Sequence, residues 1–222
     1  MEMRKVLKVF FLFACFFLYG CSSSYDYSNL NKAFNLLKGS LKPSNDQIKI
    51  FNQEEINSIK YPVIEIRTNG FIKQDLMLPI SVRDGYSNFM SANGHSVTLQ
   101  GPFLTKTNGF NTGLISLEFI DRKSIFEENK NDKYKKVYTF IDSDFNAIKY
   151  EFNCIIKHGP ETTIIILQKT HDLKLIDEVC VNDKIKFTNS YFLDLNNYVW
   201  KSYQWASPKN IYFEIFTLKK DY

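Results

Sequence analysis

The chain has 222 residues, of which 44% are apolar and 16% aromatic. That content excludes a disordered polymer and suffices for one sizeable domain, or a domain with a small appendage. The formal charge is +4, but Arg4, Lys5, Lys8 and Glu2 account for +2 of it, leaving +2 after Gly20. So weak a basic excess gives no support for nucleic-acid binding. The chain opens with these three cations. Val9 to Leu18 follows as an unbroken apolar run, too short to span a bilayer as a helix, and Leu18-Tyr19-Gly20-Cys21 closes it.

That closing tetrapeptide resembles the lipobox of bacterial lipoprotein precursors: an apolar residue at −3, a small one at −1, then the obligatory cysteine. The resemblance implies that the Cys21 thiol receives a diacylglyceryl group and that cleavage before it frees an amine for acylation. Residues 1–20 are then a signal peptide and 21–29 a lipidated polar tether. Several acyl chains, at about 0.8 kcal/mol per buried methylene, make a durable membrane anchor. Ser22, in place of an inner-membrane-retaining Asp, implies the outer membrane of a two-membrane cell, facing the periplasm. Tyr19 departs from the usual small residue at −2. Leu12-Phe13-Ala14-Cys15 has a similar form, but its apolar lead is too short. An ordinary cleaved signal peptide or a retained anchor is the alternative.

Ser28 is placed to N-cap a helix whose apolar face is Leu30, Ala33, Phe34 and Leu37, with Gly39 suited to end it. A second short helix is expected within Asp46–Ile59, contacting through Ile48, Phe51 and Ile59. Strands are expected from Pro62 onward. Val63 to Thr68 alternates, Asn69-Gly70 signals a hairpin, and Phe71 to Ile80 returns. Further strands fall at 86–91, 95–100, 102–107 and 114–121. A charged stretch over Asp121–Lys136 reads as a surface loop. Strands resume at 137–142, 145–157, 161–169, 172–180, 183–193, 198–206 and 210–219. The unbroken run Ile164 to Leu167 suggests a strand covered on both sides. Short connections imply antiparallel neighbours. The expected fold is therefore all-β: an antiparallel meander forming a partly open β-barrel with a short helical N-terminal lead-in, in one domain over 30–222. Tyr138-Thr-Phe-Ile-Asp142 and Tyr191-Phe-Leu-Asp194 each precede a turn that the Asp can cap.

The C-terminal third carries a family resemblance. Phe187-Thr-Asn-Ser-Tyr-Phe-Leu-Asp194, Tyr198-Val-Trp-Lys-Ser-Tyr-Gln-Trp-Ala-Ser-Pro208 and Phe213-Glu-Ile-Phe-Thr-Leu-Lys-Lys220 resemble, in order, the closing motifs of the YjbF/GfcB lipoproteins. The Gly-punctuated segment Ser91–Phe110 is similar to another of the family's segments. The resemblance implies a role in capsule or exopolysaccharide assembly or export, with polysaccharide and export-machinery proteins as partners. It supplies no catalytic residues.

His95, His158 and His171 have no second His or Cys at ligand spacing, so neither a metal nor another cofactor is expected. His95, beside a turn, reads as a surface imidazole. Asp142 with Asp144, and Glu127 with Glu128, are the acidic pairs that glycoside cleavage needs, yet they fall in a turn and a charged loop and read as solvated. No catalytic residue is assigned. Cys154 and Cys180 stand in separate strands, either bridged in an oxidising compartment or buried as free thiols. Tyr198 and Trp200 alternate with Tyr203 and Trp205. Trp200 and Trp205 are therefore candidates for stacking on sugar, on opposite faces, against a reading in which both faces are packed. A non-enzymatic lipoprotein of polysaccharide export is the first reading. The alternatives are a periplasmic glycan-processing enzyme and a lipid-carrying lipoprotein.

Overall fold

The computed structural model describes residues 27–40, 51–69, 74–120 and 133–220. Residues 1–20, expected as a signal peptide, Cys21, Gly70, and the charged stretch through residue 132, with Glu127 and Glu128, lie outside the described residues. Helix α1 spans Tyr27–Ser40 and helix α2 Gln53–Ser58. Leu30 and Ala33 of α1 are buried and Phe34 packs beside them, as the apolar periodicity requires. Ser28 and Gly39 both lie inside α1. Helix α2 lies within Asp46–Ile59, as expected. It starts at a capping box: Asn52 Oδ1 accepts from Glu55 N–H at 2.8 Å and Glu55 Oε2 accepts from Asn52 N–H at 3.2 Å.

Twelve strands follow: β1 Val63–Thr68, β2 Asp75–Arg83, β3 Tyr86–Ser91, β4 Ser96–Gln100, β5 Phe103–Asn108, β6 Leu114–Ile120, β7 Lys133–Ile141, β8 Ala147–Ile166, β9 Lys169–Val181, β10 Lys186–Leu193, β11 Val199–Ser207 and β12 Ile211–Lys219. They form one antiparallel sheet in the order β5-β4-β3-β2-β1-β12-β11-β10-β9-β8-β7-β6. The meander is interrupted only where β1 pairs with β12, Ile66 opposite Ile215. The expected all-β, partly open barrel is the architecture observed. Its open edges, β5 and β6, meet through side chains: Phe103 and Phe119 lie 5.0 Å apart edge to face, and Lys136 Nζ sits 4.7 Å from the Phe119 centroid. Gln204 of β11 reaches from inside to the β5 edge, accepting from Leu104 N–H at 2.9 Å and donating to Pro102 O at 2.8 Å. It satisfies backbone groups that no neighbouring strand meets.

Two apolar clusters lie on the two faces of the sheet. The interior cluster includes Ile64, Ile66, Met77, Phe152, Phe187 and Phe213. The outer cluster joins Leu30, Ala33, Phe51 and Ile56 of the lead-in to Val63, Leu76, Leu78 and Phe216 of the sheet. Strand β1 is therefore buried on both faces at its start, which explains its run of apolar residues.

Strand β8 is one 20-residue strand, not the two expected at 145–157 and 161–169. Gly159-Pro160 is absorbed by a register shift between His158 and Glu161. Among the described residues β7 ends at Lys133 opposite Ile155, so Pro160 breaks no ladder on that side. β8 and β9 run on together and close through Leu167-Gln168, with φ of 47° and 65°. Both positive values mark a two-residue hairpin turn without the Asn-Gly that usually advertises it. Ile164, Ile166 and Leu167 pack on the outer cluster, whereas Ile165 is 71% exposed. The apolar run is covered on one side only: the arm has outgrown the barrel and shields the helical lead-in.

Candidate functional site

The two tryptophans lie in different environments, but not as simple alternation orders them. Strand β11 carries two ladder irregularities. Val199 and Lys201 face consecutive residues of β10, skipping Trp200, and Trp205 and Ser207 face consecutive residues of β12, skipping Ala206. Such bulges re-aim side chains. Trp205 is 2% exposed, stacked on Phe187 at 4.3 Å and edge-on to Tyr138 at 5.2 Å and Phe152 at 5.5 Å. Buried in the barrel interior, it offers no face to a glycan, which corrects its candidacy. Tyr203, its expected companion, is 37% exposed and stacks on Tyr212 at 4.6 Å. Trp200 is half-buried against the outer cluster. Its Nε1 donates to Asp194 Oδ2 at 3.0 Å, His171 lies 4.5 Å from its ring, and Lys220 Nζ lies 5.2 Å from its centroid.

The motif residues of the last third brace the barrel. Asn189 Oδ1 accepts from Trp205 N–H at 2.7 Å, and its Nδ2 donates to Glu178 Oε2 at 2.7 Å. Glu178 is fully buried and ion-paired with buried Lys136 at 2.6 Å, and it accepts from the Tyr134 hydroxyl. Desolvation pushes the Glu178 carboxyl up. The Lys136 charge and hydrogen bond, with Tyr134 and Asn189, outweigh it and hold the group below the usual carboxylate range. Burial, then the Glu178 charge, push the Tyr138 hydroxyl well above its usual value. Composition did not reveal this network, because its members lie 42 positions apart in the case of Lys136 and Glu178. Cys154 and Cys180 face each other across β8 and β9 and form a disulfide with Cα atoms 4.1 Å apart. Glu178 lies beside the two sulfurs; their bond to each other leaves no thiolate for a metal.

His95 is not a free surface imidazole. Its Nδ1 lies 2.7 Å from Oδ2 of fully buried Asp75, and its ring packs on Phe110 at 5.1 Å. Asp142 and Asp144 do not form a catalytic pair, because the Asp142 carboxylate is spent on its turn. Its Oδ1 accepts from Asp144 N–H at 2.9 Å and Asn146 N–H at 2.8 Å.

Among the described residues, four hairpins close with the same turn: the N–H of the fourth residue returns to the carbonyl of the first, and that fourth residue is left-handed. The pairs are Gly94 to Ser91 at 3.1 Å, Phe145 to Asp142 at 3.2 Å, Asn197 to Asp194 at 2.9 Å and Asn210 to Ser207 at 2.9 Å. The left-handed φ values are 83°, 62°, 60° and 60°. Glycine and asparagine adopt this conformation readily; phenylalanine does not. Phe145 is also 87% exposed.

Two recesses flank the barrel ends. One, of about 360 Å³, is lined by Ile64, Phe89, Leu99, Val199 and Ile215, with Lys220 among its polar residues. The other, of about 500 Å³, is bounded by the β5–β6 connection, the Asp142 turn and the Ser207 turn. Phe145, Tyr150 and Phe140 line it beside Asn108, Asn111 and Lys209. A third recess, of about 730 Å³, carries Lys133, Lys157 and Lys186 with Ile155 and Val181.

The hypothetical lipoprotein YmcC from Escherichia coli K12 has a similar crystal structure, with a TM-score of 0.71 at 13% identity, over 90% of this chain and 99% of that one. At that identity the likeness establishes the fold. Curated protein sequences contain no match. The family model described as "Group 4 capsule polysaccharide lipoprotein gfcB, YjbF" matches residues 28–218, which takes in the lead-in helices and the twelve strands but for one residue at each end, and the bracing motif residues. The chain belongs to the group 4 capsule polysaccharide lipoprotein family.

Proposed function

We propose that this protein is a lipid-anchored, non-enzymatic component of capsule or exopolysaccharide assembly and export at the outer membrane, facing the periplasm, where it holds glycan or a partner of the export machinery. The observation that carries this reading is the family match over residues 28–218. Two further features support it. Among the described residues, Asp142 and Asp194 are engaged in their turns, Glu178 with Lys136 and Asp75 with His95, which gives each of these four carboxylates a structural partner. The lipobox-like Leu18-Tyr19-Gly20-Cys21 supplies the anchor, with Cys21 as the acylated residue.

A clean deletion tests the reading. Surface polymer is expected to fall while its cytoplasmic precursors are still made. The wild-type gene restores output; a Cys21→Ser gene restores little and no longer incorporates radioactive fatty acid. Full polymer output in the deletion strain, with no second gene copy present, would defeat the export reading.

A further inference from the structure

Phe145 violates the local rule that the three sister turns obey. Gly94, Asn197 and Asn210 occupy the left-handed position with residues suited to it, while Phe145 places a bulky ring there at φ 62°. Strain of this kind persists only where the surroundings enforce it, and it concentrates at functional positions. Here the Asp142 carboxylate and the Asp142–Asn146 backbone pair enforce it. Burial does not explain the choice of residue, because the ring is 87% exposed. The result is an aromatic side chain held out at the rim of a groove of about 500 Å³, a size within the range of ordinary ligand sites.

The groove's lining says what class of ligand fits. Tyr150, Phe140 and Ile148 supply apolar surface, and Ile148 is itself 39% exposed. Asn108 and Asn111 supply exposed amides, each with donors and an acceptor, and Lys209 one cation. An acyl chain would leave the amides unmatched. A densely charged polymer would find one lysine. A sugar ring presents C–H faces to aromatic rings and hydroxyls to amides at its edge, and so matches both halves of the lining. We propose that Phe145 and this groove form a glycan-binding site that takes a short segment of the polysaccharide the protein serves. The identification of the polymer rests on the reading under Proposed function; the site rests on the geometry.

The test uses the full mature chain and, as probe, surface polysaccharide from the bacterium that carries the gene, cut to short oligosaccharides. Isothermal titration is run on wild type, Phe145→Ala, Phe145→Asn and Leu195→Ala. Leu195 is the 99% exposed apolar residue of the Asp194 turn and serves as the control. Both Phe145 variants are expected to bind about tenfold more weakly or worse, with Leu195→Ala unchanged. Phe145→Asn relieves the turn, so its melting temperature stays at or above wild type; loss of affinity there cannot be loss of folding. Unchanged affinity in both variants overturns the site, as does binding that persists in them and disappears with salt, which would place the polymer on the lysine recess. No binding by wild type, in a protein whose deletion still lowers polymer output, overturns glycan recognition and leaves a protein partner. Full output on deletion overturns the export reading instead, and oligosaccharide binding then stands or falls by itself.

Discussion

The Asp142 and Asp194 turns are built alike and used differently. Each aspartate accepts two backbone N–H groups on Oδ1, from Asp144 and Asn146 in one and from Asn196 and Tyr198 in the other. Beyond that they diverge. Asp194 uses its second oxygen to hold Trp200, and its left-handed residue is asparagine. That turn stitches β10 to β11 and fixes an indole on the outer cluster. Asp142 reaches only the amide of its own Asn146, at 3.4 Å, and its left-handed residue is an exposed phenylalanine. One turn satisfies local and tertiary demands together; the other sacrifices local preference to present a ring to solvent. Identical turn chemistry therefore serves architecture at one end of the barrel and presentation at the other.

The largest expected effect is a control for that comparison. Replacing Cys154 and Cys180 together by alanine should lower stability by about 3 kcal/mol. It should do so equally in backgrounds that differ only at either turn, because the bridge lies in the interior away from both. Thiol counting on denatured, unreduced protein checks the starting state: only a bridged pair leaves both thiols hidden.

Asp194→Ala comes next, at about 1.5 kcal/mol, since it strands the Trp200 N–H and two turn amides. Asp142→Ala should cost less, having no tertiary partner to lose. Urea midpoints followed by tryptophan fluorescence give the ranking, and equal losses would break the distinction. The same pair predicts an acid limb. For Asp142 the Asn146 N–H is the main cause, and its carboxyl is held below the usual range. For Asp194 desolvation acts upward, but the Trp200, Tyr198 and Asn196 hydrogen bonds and Lys220 outweigh it, so it too is held low. A depressed folded pKa contributes stability above the unfolded carboxyl value of about 4, and that stability is lost as pH falls through the folded value. Stability should thus be level near neutrality and drop below about pH 4. Asp194→Asn and Asp142→Asn should each flatten the drop.

The smallest effect is the reciprocal exchange at the left-handed position. Asn197→Phe should destabilise by about 1 kcal/mol, with thermal melts as the readout. If asparagine and phenylalanine prove equivalent at position 197, Phe145 loses its standing as an outlier.

Most of the strand succession was legible because its signals are short-range. Residues 86–91 and 210–219 match β3 and β12 to within a residue, with alternation inside and turn residues at the ends. The paired aspartate turns were legible for the same reason. The candidate site was not. Trp200 and Trp205 stand out as large aromatics, but position 205 lies in the interior, and Phe145 reads from the sequence as the first residue of a strand at 145–157. Only the four-way likeness of the turns makes it stand out, and that likeness appears only with φ values in hand.

By itself the sequence determined an antiparallel, strand-rich chain with a helical lead-in and a lipobox-like start, because periodicity, turn residues and apolar runs act over a few positions. Tertiary structure alone decided what each side chain faces. Bulges at Trp200 and Ala206 redirect the residues around them. An arm from β8 and β9 packs one of its faces on the lead-in cluster and leaves the other exposed. Gln204 meets the β5 edge across the barrel, and Asn189 joins Glu178 and Trp205 on the strands to either side, pairings that no local spacing announces. Burial depends on both faces of the sheet and on what packs against each, and a single inserted residue reverses the face without altering the pattern that predicts the strand.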